Sequence, residues 1–353
     1  MLIKYNLLIK HKKEDKLILE NYSNALGGGG DEKEIRELIY KDIKEYAKNI
    51  KIDPLGNLQG VQNKKTDKFI LLTAHMDEVA LIVEKIESSG LISFKSLGGF
   101  VEKILPGTNV VVGKDKIPGI IGLKSYHIMS QSERETSPTI KNLFIDIGAS
   151  SDKEVNCKPG DIIYFTSKFF EQNDCYFGKA FDDRAGCSAI TSILKDNEAK
   201  LSIAFSYNTQ EEVGLRGGAV CAWNFENIVF NLNLEGTTCS DRDLDKNYSP
   251  STELNKGPAI TIMDRTSIAN RKLLEFVCDI AEKNSIPYQF KQTVTGGTDA
   301  GYIHKTKEGI PSITLSVPVR YIHSPWGIIS KYDYENYIKL AKLIVNNADK
   351  IKL

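Results

Sequence analysis

The amino-acid sequence predicts an α/β fold, a mixed and mostly parallel sheet flanked by helices, interrupted by a small all-β insertion. Three observations carry this. A helix-like stretch and a continuous apolar run precede residue 78, and alternating strand-like and helix-like stretches resume from Lys179. Between them, from about Val79 to Lys168, short apolar runs are separated by glycine, proline and polar turns, the texture of a small β-barrel or sandwich. At 353 residues the chain suits two domains. They are set at 1–78 with 169–353 for the α/β part and 79–168 for the inserted β part.

Taken in order, Gly27 to Gly30 reads as a flexible breaker before a helix. That helix is expected over Asp31 to Asn49, because Ile35, Leu38, Ile39, Tyr46 and Ala47 recur at helical spacing and Asp31 with Glu34 resembles a capping box. Phe69 to Ala74 is continuously apolar, as a strand buried in a parallel sheet should be, and His75 follows at its carboxyl end. The runs ALIV, NVVVG, GIIGL, LFIDIG and DIIYF give the insertion its short strands. Beyond it, strands are expected at Leu201 to Tyr207, Ile228 to Leu234, Ala259 to Met263 and Ile313 to Val317. Helices are expected at Asp183 to Lys195, Ser267 to Lys283 and Tyr334 to Asn347.

The charge balance narrows the function classes. With 46 basic and 46 acidic side chains, no net field favours nucleic acid or an anionic membrane, so specificity has to be local. The six cysteines form no Cys-x-x-Cys pair and no dense framework, and they read as reduced thiols. The first residues lack a signal-peptide cleavage site, and no apolar run approaches the roughly 18 residues of a membrane span. A cytoplasmic location is expected.

In open parallel sheets, ligands gather beyond the carboxyl ends of the strands. Four apolar runs lead there to ligand-capable groups: FILLTA to His75 and Asp77, LSIAFSYNTQ to Glu211 and Glu212, FNLNL to Glu235, and ITLSVPVRYI to His323. Asp182 and Asp183 open a helix just after the insertion returns. Each group alone has an ordinary reading, as a loop histidine, a solvated glutamate pair or acidic residues at a helix start. Their joint occurrence is different. Only five histidines exist, at 11, 75, 127, 304 and 323, and two of them follow strands beside carboxylates. Two imidazoles with three carboxylates suit a pair of divalent ions such as Zn²⁺, Co²⁺ or Mn²⁺ better than Ca²⁺ or Mg²⁺.

The segments TAHMDE, GKAFDDRAG, NTQEEVGLRG, LEGTT, GGTDAG and RYIHSPWG, in this order, resemble the M42 family of metallo-aminopeptidases. SNALGGGGDEKEIREL, DPLGN, SLGG, LFIDIGASS and GPAITIMDR add to the likeness, which runs from about residue 20 to near the end. It implies a dinuclear metallopeptidase type of fold with an inserted small β-barrel. It also implies two divalent metal ions per subunit, with His75, Asp182, Glu212, Glu235 and His323 as ligands and Asp182 bridging. Glu211 would be the general base, and the Asp77 carboxylate would orient the His75 imidazole. Glu235 stands where much of the family has aspartate. The Asp182–Asp183 peptide is expected to be cis. Expected partners are peptides with a free N-terminus and further copies of the chain, up to a dodecamer built through the β insertion, with no nucleic acid and no membrane.

Other reactions remain open at this stage. A metal-dependent carboxypeptidase or deacylase uses similar folds. A glycoside hydrolase is suggested by the Glu-Glu pair and by relatives labelled cellulases, although it would leave both histidines idle. A scaffold without activity is the third reading. GGTDAG lacks the ending of a phosphate loop and resembles the family's substrate-cleft segment. His127 is placed either near the site or on the surface. His11 and His304 are expected to be structural or solvated, and Cys187 and Cys239 to be packing residues.

Overall fold

In the computed structural model, residues 2–62, 66–242 and 249–353 are described, with side chains from residue 12 onward; the His11 side chain lies outside the described residues. The chain opens with helices α1 (Leu2–Asn24) and α2 (Lys33–Ile43). The hairpin of β1 (Lys48–Ile52) and β2 (Leu58–Gln62) leads to β3 (Phe69–His75). Then come β4 (Ala80–Ile86), β5 (Ile92–Leu97), β6 (Asn109–Val112), β7 (Ile117–Leu123), the short α3 (Gln131–Glu135), β8 (Leu143–Asp146) and β9 (Ile162–Phe165). The hairpin of β10 (Phe170–Gln172) and β11 (Cys175–Gly178) returns to α4 (Phe181–Lys195) and β12 (Ser202–Asn208). After α5 (Gly218–Cys221) follow β13 (Ile228–Cys239), β14 (Ala259–Thr261), α6 (Arg271–Lys283), β15 (Gln289–Phe290) and α7 (Ala300–Ile303). The last elements are β16 (Ser312–Arg320), β17 (Gly327–Ser330) and α8 (Lys331–Asn347).

Among the described residues eleven strands form one mixed sheet in the order β1-β2-β12-β3-β13-β16-β17-β11-β10, with β14 pairing β16 and β15 pairing β14. Its centre, β12-β3-β13-β16, is parallel, so all four carboxyl ends face one crevice. The continuous apolar runs have a simple cause: β3 points Ile70, Leu72 and Ala74 into a core with α4 and α8, and Leu71 into a second core with α5 and α7. Both faces are covered, so the polar residues that do alternate on β13 and β16, such as Asn231, Asn233, Ser312 and Thr314, are buried as well. The expected mixed sheet forms, parallel at its centre and antiparallel toward its edges.

Strands β4-β5-β8-β7-β6-β9 close into an antiparallel barrel with its own core, including Leu81, Val83, Phe94, Val110, Ile121, Ile145 and Ile163. This resolves the choice between barrel and sandwich. Among the described residues no helix is long and apolar enough to cross a membrane.

Several local expectations are corrected. Helix α2 is shorter than 31–49: it starts at Lys33 and ends at Ile43, leaving Tyr46 and Ala47 beyond it. The capping box does not form, because Asp31 accepts a hydrogen bond from Tyr164 of the barrel at 2.7 Å and Glu34 accepts the Leu26 N–H at 3.1 Å. Gly27 to Gly30 is packed, not loose. A Cβ on Gly27 would stand 2.7 Å from Ile35 Cγ2, and only Gly30 needs a left-handed φ, +92°. Helix α6 begins at Arg271, capped by Asn270, because Ser267 is held in a turn in which Asp264 accepts its N–H. No element was assigned to the first 24 residues, yet α1 lies there and buries Ile18, Leu19 and Tyr22 in the main core.

Candidate metal centre

The crevice at the carboxyl ends of the parallel strands collects the ligand-capable side chains. His75 is the last residue of β3, and Glu235 lies within β13, the neighbouring parallel strand. Asp182 sits at the start of α4, where its φ of −87° and ψ of 106° are extended; its peptide bond to Asp183 is cis. Asp183 points away from the cleft, accepting the N–H of His75 at 3.2 Å and of Gly186 at 2.9 Å. It thereby ties the strand end to the helix start. His323 follows β16 with a left-handed φ of +56°, a conformation that non-glycine residues adopt sparingly.

Asp182 divides its carboxylate between the two imidazoles. Its Oδ1 lies 3.3 Å from His75 Nε2, and its Oδ2 lies 3.5 Å from His323 Nε2. Glu235 Oε2 is 3.6 Å from His75 Nε2, and Glu212 Oε2 is 3.4 Å from His323 Nε2. Two groups result, His75 with Asp182 and Glu235, and Asp182 with Glu212 and His323, the ligand atoms of each lying within 4.8 Å of one another. Ligand atoms about 2.0–2.1 Å from a tetrahedral ion stand roughly 3.3 Å apart, so both groups have the spacing of a metal site. Among the described residues Glu211 belongs to neither group; its Oε2 is 3.9 Å from His75 Nε2.

The electrostatics fit cations as well. Burial opposes an imidazolium at His75, yet the Glu211, Asp182, Asp77 and Glu235 carboxylates outweigh it and hold its pKa well above the ordinary value. Burial is likewise overcome at His323 by Glu212 and Asp182, which raise it to about 9. Burial pushes Glu212 up to about 7, with His323 opposing and Asp182 adding to the rise. Glu235 is raised by burial and then by Asp183. The cluster thus holds more negative charge than its imidazoles balance, and protons gather where divalent cations would satisfy it. Glu212 Oε1 is buried with no hydrogen-bond partner among the described residues, an acceptor left for something positive.

Asp77 has two tasks. It meets the His75 imidazole, its backbone oxygen 3.0 Å and its Oδ1 3.4 Å from Nδ1. The same carboxylate accepts the backbone N–H of Glu211 at 2.9 Å and of Glu212 at 3.1 Å. The Cys187 thiol donates to the His75 carbonyl oxygen at 3.1 Å, a packing contact as expected. His127 stands exposed beside Tyr126, outside the cleft, and His304 Nδ1 lies 2.7 Å from the Ala300 carbonyl oxygen. The six cysteines are free thiols.

The cleft has a volume of about 630 Å³. From the barrel the sequence offered His127, which lies outside the cleft, whereas Gly99, Phe100 and Val101 line it just after β5. SLGG was the available signal: Gly98 has a φ of +96°, and a Cβ there would meet Val79 Cγ1 at 2.8 Å and Glu212 Cβ at 3.4 Å. Lys291 was also missed. It lines the cleft together with Thr295 to Thr298 of the GGTDAG neighbourhood. A further cavity of about 750 Å³ lies between Gly29 to Asp31 and the barrel loops at Lys114 and Lys158, and contains none of the clustered groups.

Residues 56–340 match the family described as M42 glutamyl aminopeptidase. A putative aminopeptidase of Acetivibrio thermocellus is 34% identical over 331 residues, covering 92% of this chain and 96% of that protein. Among solved structures, a TET aminopeptidase from a marine-sediment Thaumarchaeota archaeon superposes with a TM-score of 0.90 at 33% identity, over 95% of this chain and 96% of the other. The Pyrococcus horikoshii TET1 peptidase, described as assembling into a tetrahedron or a large octahedral shell, matches with a TM-score of 0.83 at 31% identity. That match covers 94% of this chain and 99% of the peptidase.

Proposed function

Because the chain belongs to the M42 glutamyl aminopeptidase family and is a metal-dependent hydrolase of the aminopeptidase type, we propose that it cleaves the first peptide bond of peptides with a free N-terminus, using two divalent ions per subunit. The observation that carries the two-ion reading is Asp182, whose two oxygens face His75 at 3.3 Å and His323 at 3.5 Å. His75, Asp182 and Glu235 would hold one ion, and Asp182, Glu212 and His323 the other. Their nitrogen and oxygen donors suit Zn²⁺ or Co²⁺, and Mn²⁺ as well.

The ions, when bound, supply Lewis acidity: they ease deprotonation of a water and offset charge developing on the peptide carbonyl oxygen. Glu211, uncommitted to either ligand group, takes the proton from the attacking water and passes it to the departing amine nitrogen as the C–N bond breaks. Asp77 keeps Glu211 and Glu212 at the cleft through their backbone N–H groups. The substrate's α-ammonium is attracted by the carboxylate cluster, which limits cleavage to the first residue. Residues 79–168 serve as the unit for contacts between subunits, in a homo-oligomer of up to twelve copies. A cytoplasmic location accompanies this reading.

The test is a screen of aminoacyl chromogenic substrates with metal-stripped protein reloaded with Zn²⁺, Co²⁺ or Mn²⁺. N-acetylated peptides and β-glucan serve as controls. Activity that vanishes on chelation, returns with metal and requires the free amine is expected. Cleavage of blocked peptides, or glucan hydrolysis that survives chelation, contradicts the proposal.

A further inference from the structure

The loop after β12 is held in an unusual way. Four successive backbone N–H groups are each accepted by a side chain from elsewhere: Thr209 by Asn57 Oδ1 at 2.9 Å, Gln210 by Glu32 Oε1 at 3.2 Å, Glu211 by Asp77 Oδ1 at 2.9 Å and Glu212 by Asp77 Oδ2 at 3.1 Å. No strand ladder or helix supplies these bonds. The loop has left β geometry, with Gln210 at a φ of +55°, and its shape is set from outside. Asn57 is itself fixed, donating through Nδ2 to Asp53 Oδ2 at 2.8 Å and to the Gly217 carbonyl at 3.1 Å.

Glu32 is the remote member of this set. It is only 3% exposed, and the same Oε1 accepts the Gly30 N–H at 2.7 Å. One oxygen therefore joins the glycine turn ahead of α2 to the residue just before Glu211. Arg36, one helical turn on, lies 4.0 Å from Glu32 Oε2 and donates to the Gly56 carbonyl at 3.2 Å, bracing the carboxylate from its far side. The glycine turn is rigid in its own right: the Gly27 N–H donates to Glu78 Oε1 at 3.2 Å, and the Glu78 N–H donates to the Gly27 carbonyl at 2.8 Å. Glu32 touches no ligand candidate and does not line the cleft.

We propose that Glu32 is a positioning residue for the reaction: by accepting the Gln210 N–H from a fixed turn, it sets where the Glu211 carboxylate stands. This rests on the reading of Glu211 as general base. Displacing a catalytic group by about 1 Å can lower turnover on the order of a hundredfold. What matters is the reach of the acceptor oxygen, not its charge. Burial, opposed by the Gly30 N–H, pushes the Glu32 carboxyl up to about 7, so a neutral form is readily accommodated.

Glu32→Gln keeps the reach and removes the charge, whereas Glu32→Asp keeps the charge and withdraws the oxygen by one methylene. In the metal-loaded protein, Glu32→Gln is expected to retain kcat within about threefold, while Glu32→Asp and Glu32→Ala lose about ten- to a hundredfold in kcat with KM and metal content unchanged. Hydrogen exchange of the metal-free proteins should show faster exchange at residues 209–213 in Glu32→Asp alone of the Gln and Asp pair, with the core unaffected. If Glu32→Ala does not fold, the Gln and Asp variants decide. Wild-type kcat and loop protection in Glu32→Asp, or a Glu32→Gln protein as impaired as Glu32→Asp, overturns the proposal. A wild type inactive on every aminoacyl substrate sinks the aminopeptidase reading instead, and the exchange data still decide whether Glu32 holds the loop.

Discussion

Asp77 holds Glu211 by its backbone, Oδ1 accepting the Glu211 N–H at 2.9 Å. Neighbouring side chains on a strand point to opposite faces, so two adjacent glutamates can serve one cleft only if the chain leaves β geometry between them and the sheet. Gln210, at a φ of +55°, is where it leaves. The Asp77 carboxylate then fixes the next two N–H groups with its two oxygens. Asp77→Asn puts an amide NH₂ against one of those N–H groups. Turnover is expected to fall about ten- to a hundredfold while KM changes little, since the defect lies in orientation. Steady-state kinetics with metal content measured on the same sample checks this.

Glu212→Gln is expected to behave as a ligand mutant. Glu212 Oε2 faces His323 Nε2 at 3.4 Å, and its second oxygen has no hydrogen-bond partner among the described residues. A neutral amide is a poorer donor to a divalent ion, so one of two equivalents should be lost on dialysis and part of the activity should return with excess metal. Titrating metal back into the dialysed variant while following activity gives the result. Two retained equivalents with no gain on adding metal would remove Glu212 from the ligand set.

The barrel can be tested by removal. Its core, built on residues such as Leu81, Phe94, Val110 and Ile145, is distinct from the one around β3 and α4. Replacing residues 79–168 by a short linker is expected to leave a folded α/β part that forms a smaller assembly. Mass measured by light scattering reads this directly, and an assembly of unchanged copy number would argue against the barrel as the contact unit.

Much of the fold was legible because the central strands carry strong local signals. Phe69 to Ala74 and Ser202 to Tyr207 are mostly apolar and buried along almost their whole length since helices cover both faces of the sheet, and ligand candidates lie just beyond them. Legibility failed where a long-range partner overrode a local motif. Asp31 reads as a cap, but its oxygen is taken by Tyr164, 133 residues away. Glu32 gave no signal of its own, because its contact with Gln210 spans 178 residues and nothing in the two quoted segments that hold them shows that they meet. Gly98 was visible as part of SLGG, but nothing local indicates that the barrel brings it against Glu212.

The division of labour between the adjacent glutamates is tested most directly by Glu211→Gln, with bound metal and turnover measured on one preparation. Two metal equivalents are expected to remain, because His75, Asp182, Glu212, Glu235 and His323 form both ligand groups without Glu211. Turnover should fall at least about 10²–10⁴-fold, the usual contribution of a general base, with KM little changed. Loss of metal from Glu211→Gln, or full activity in it, would contradict the assignment of Glu211 as the base.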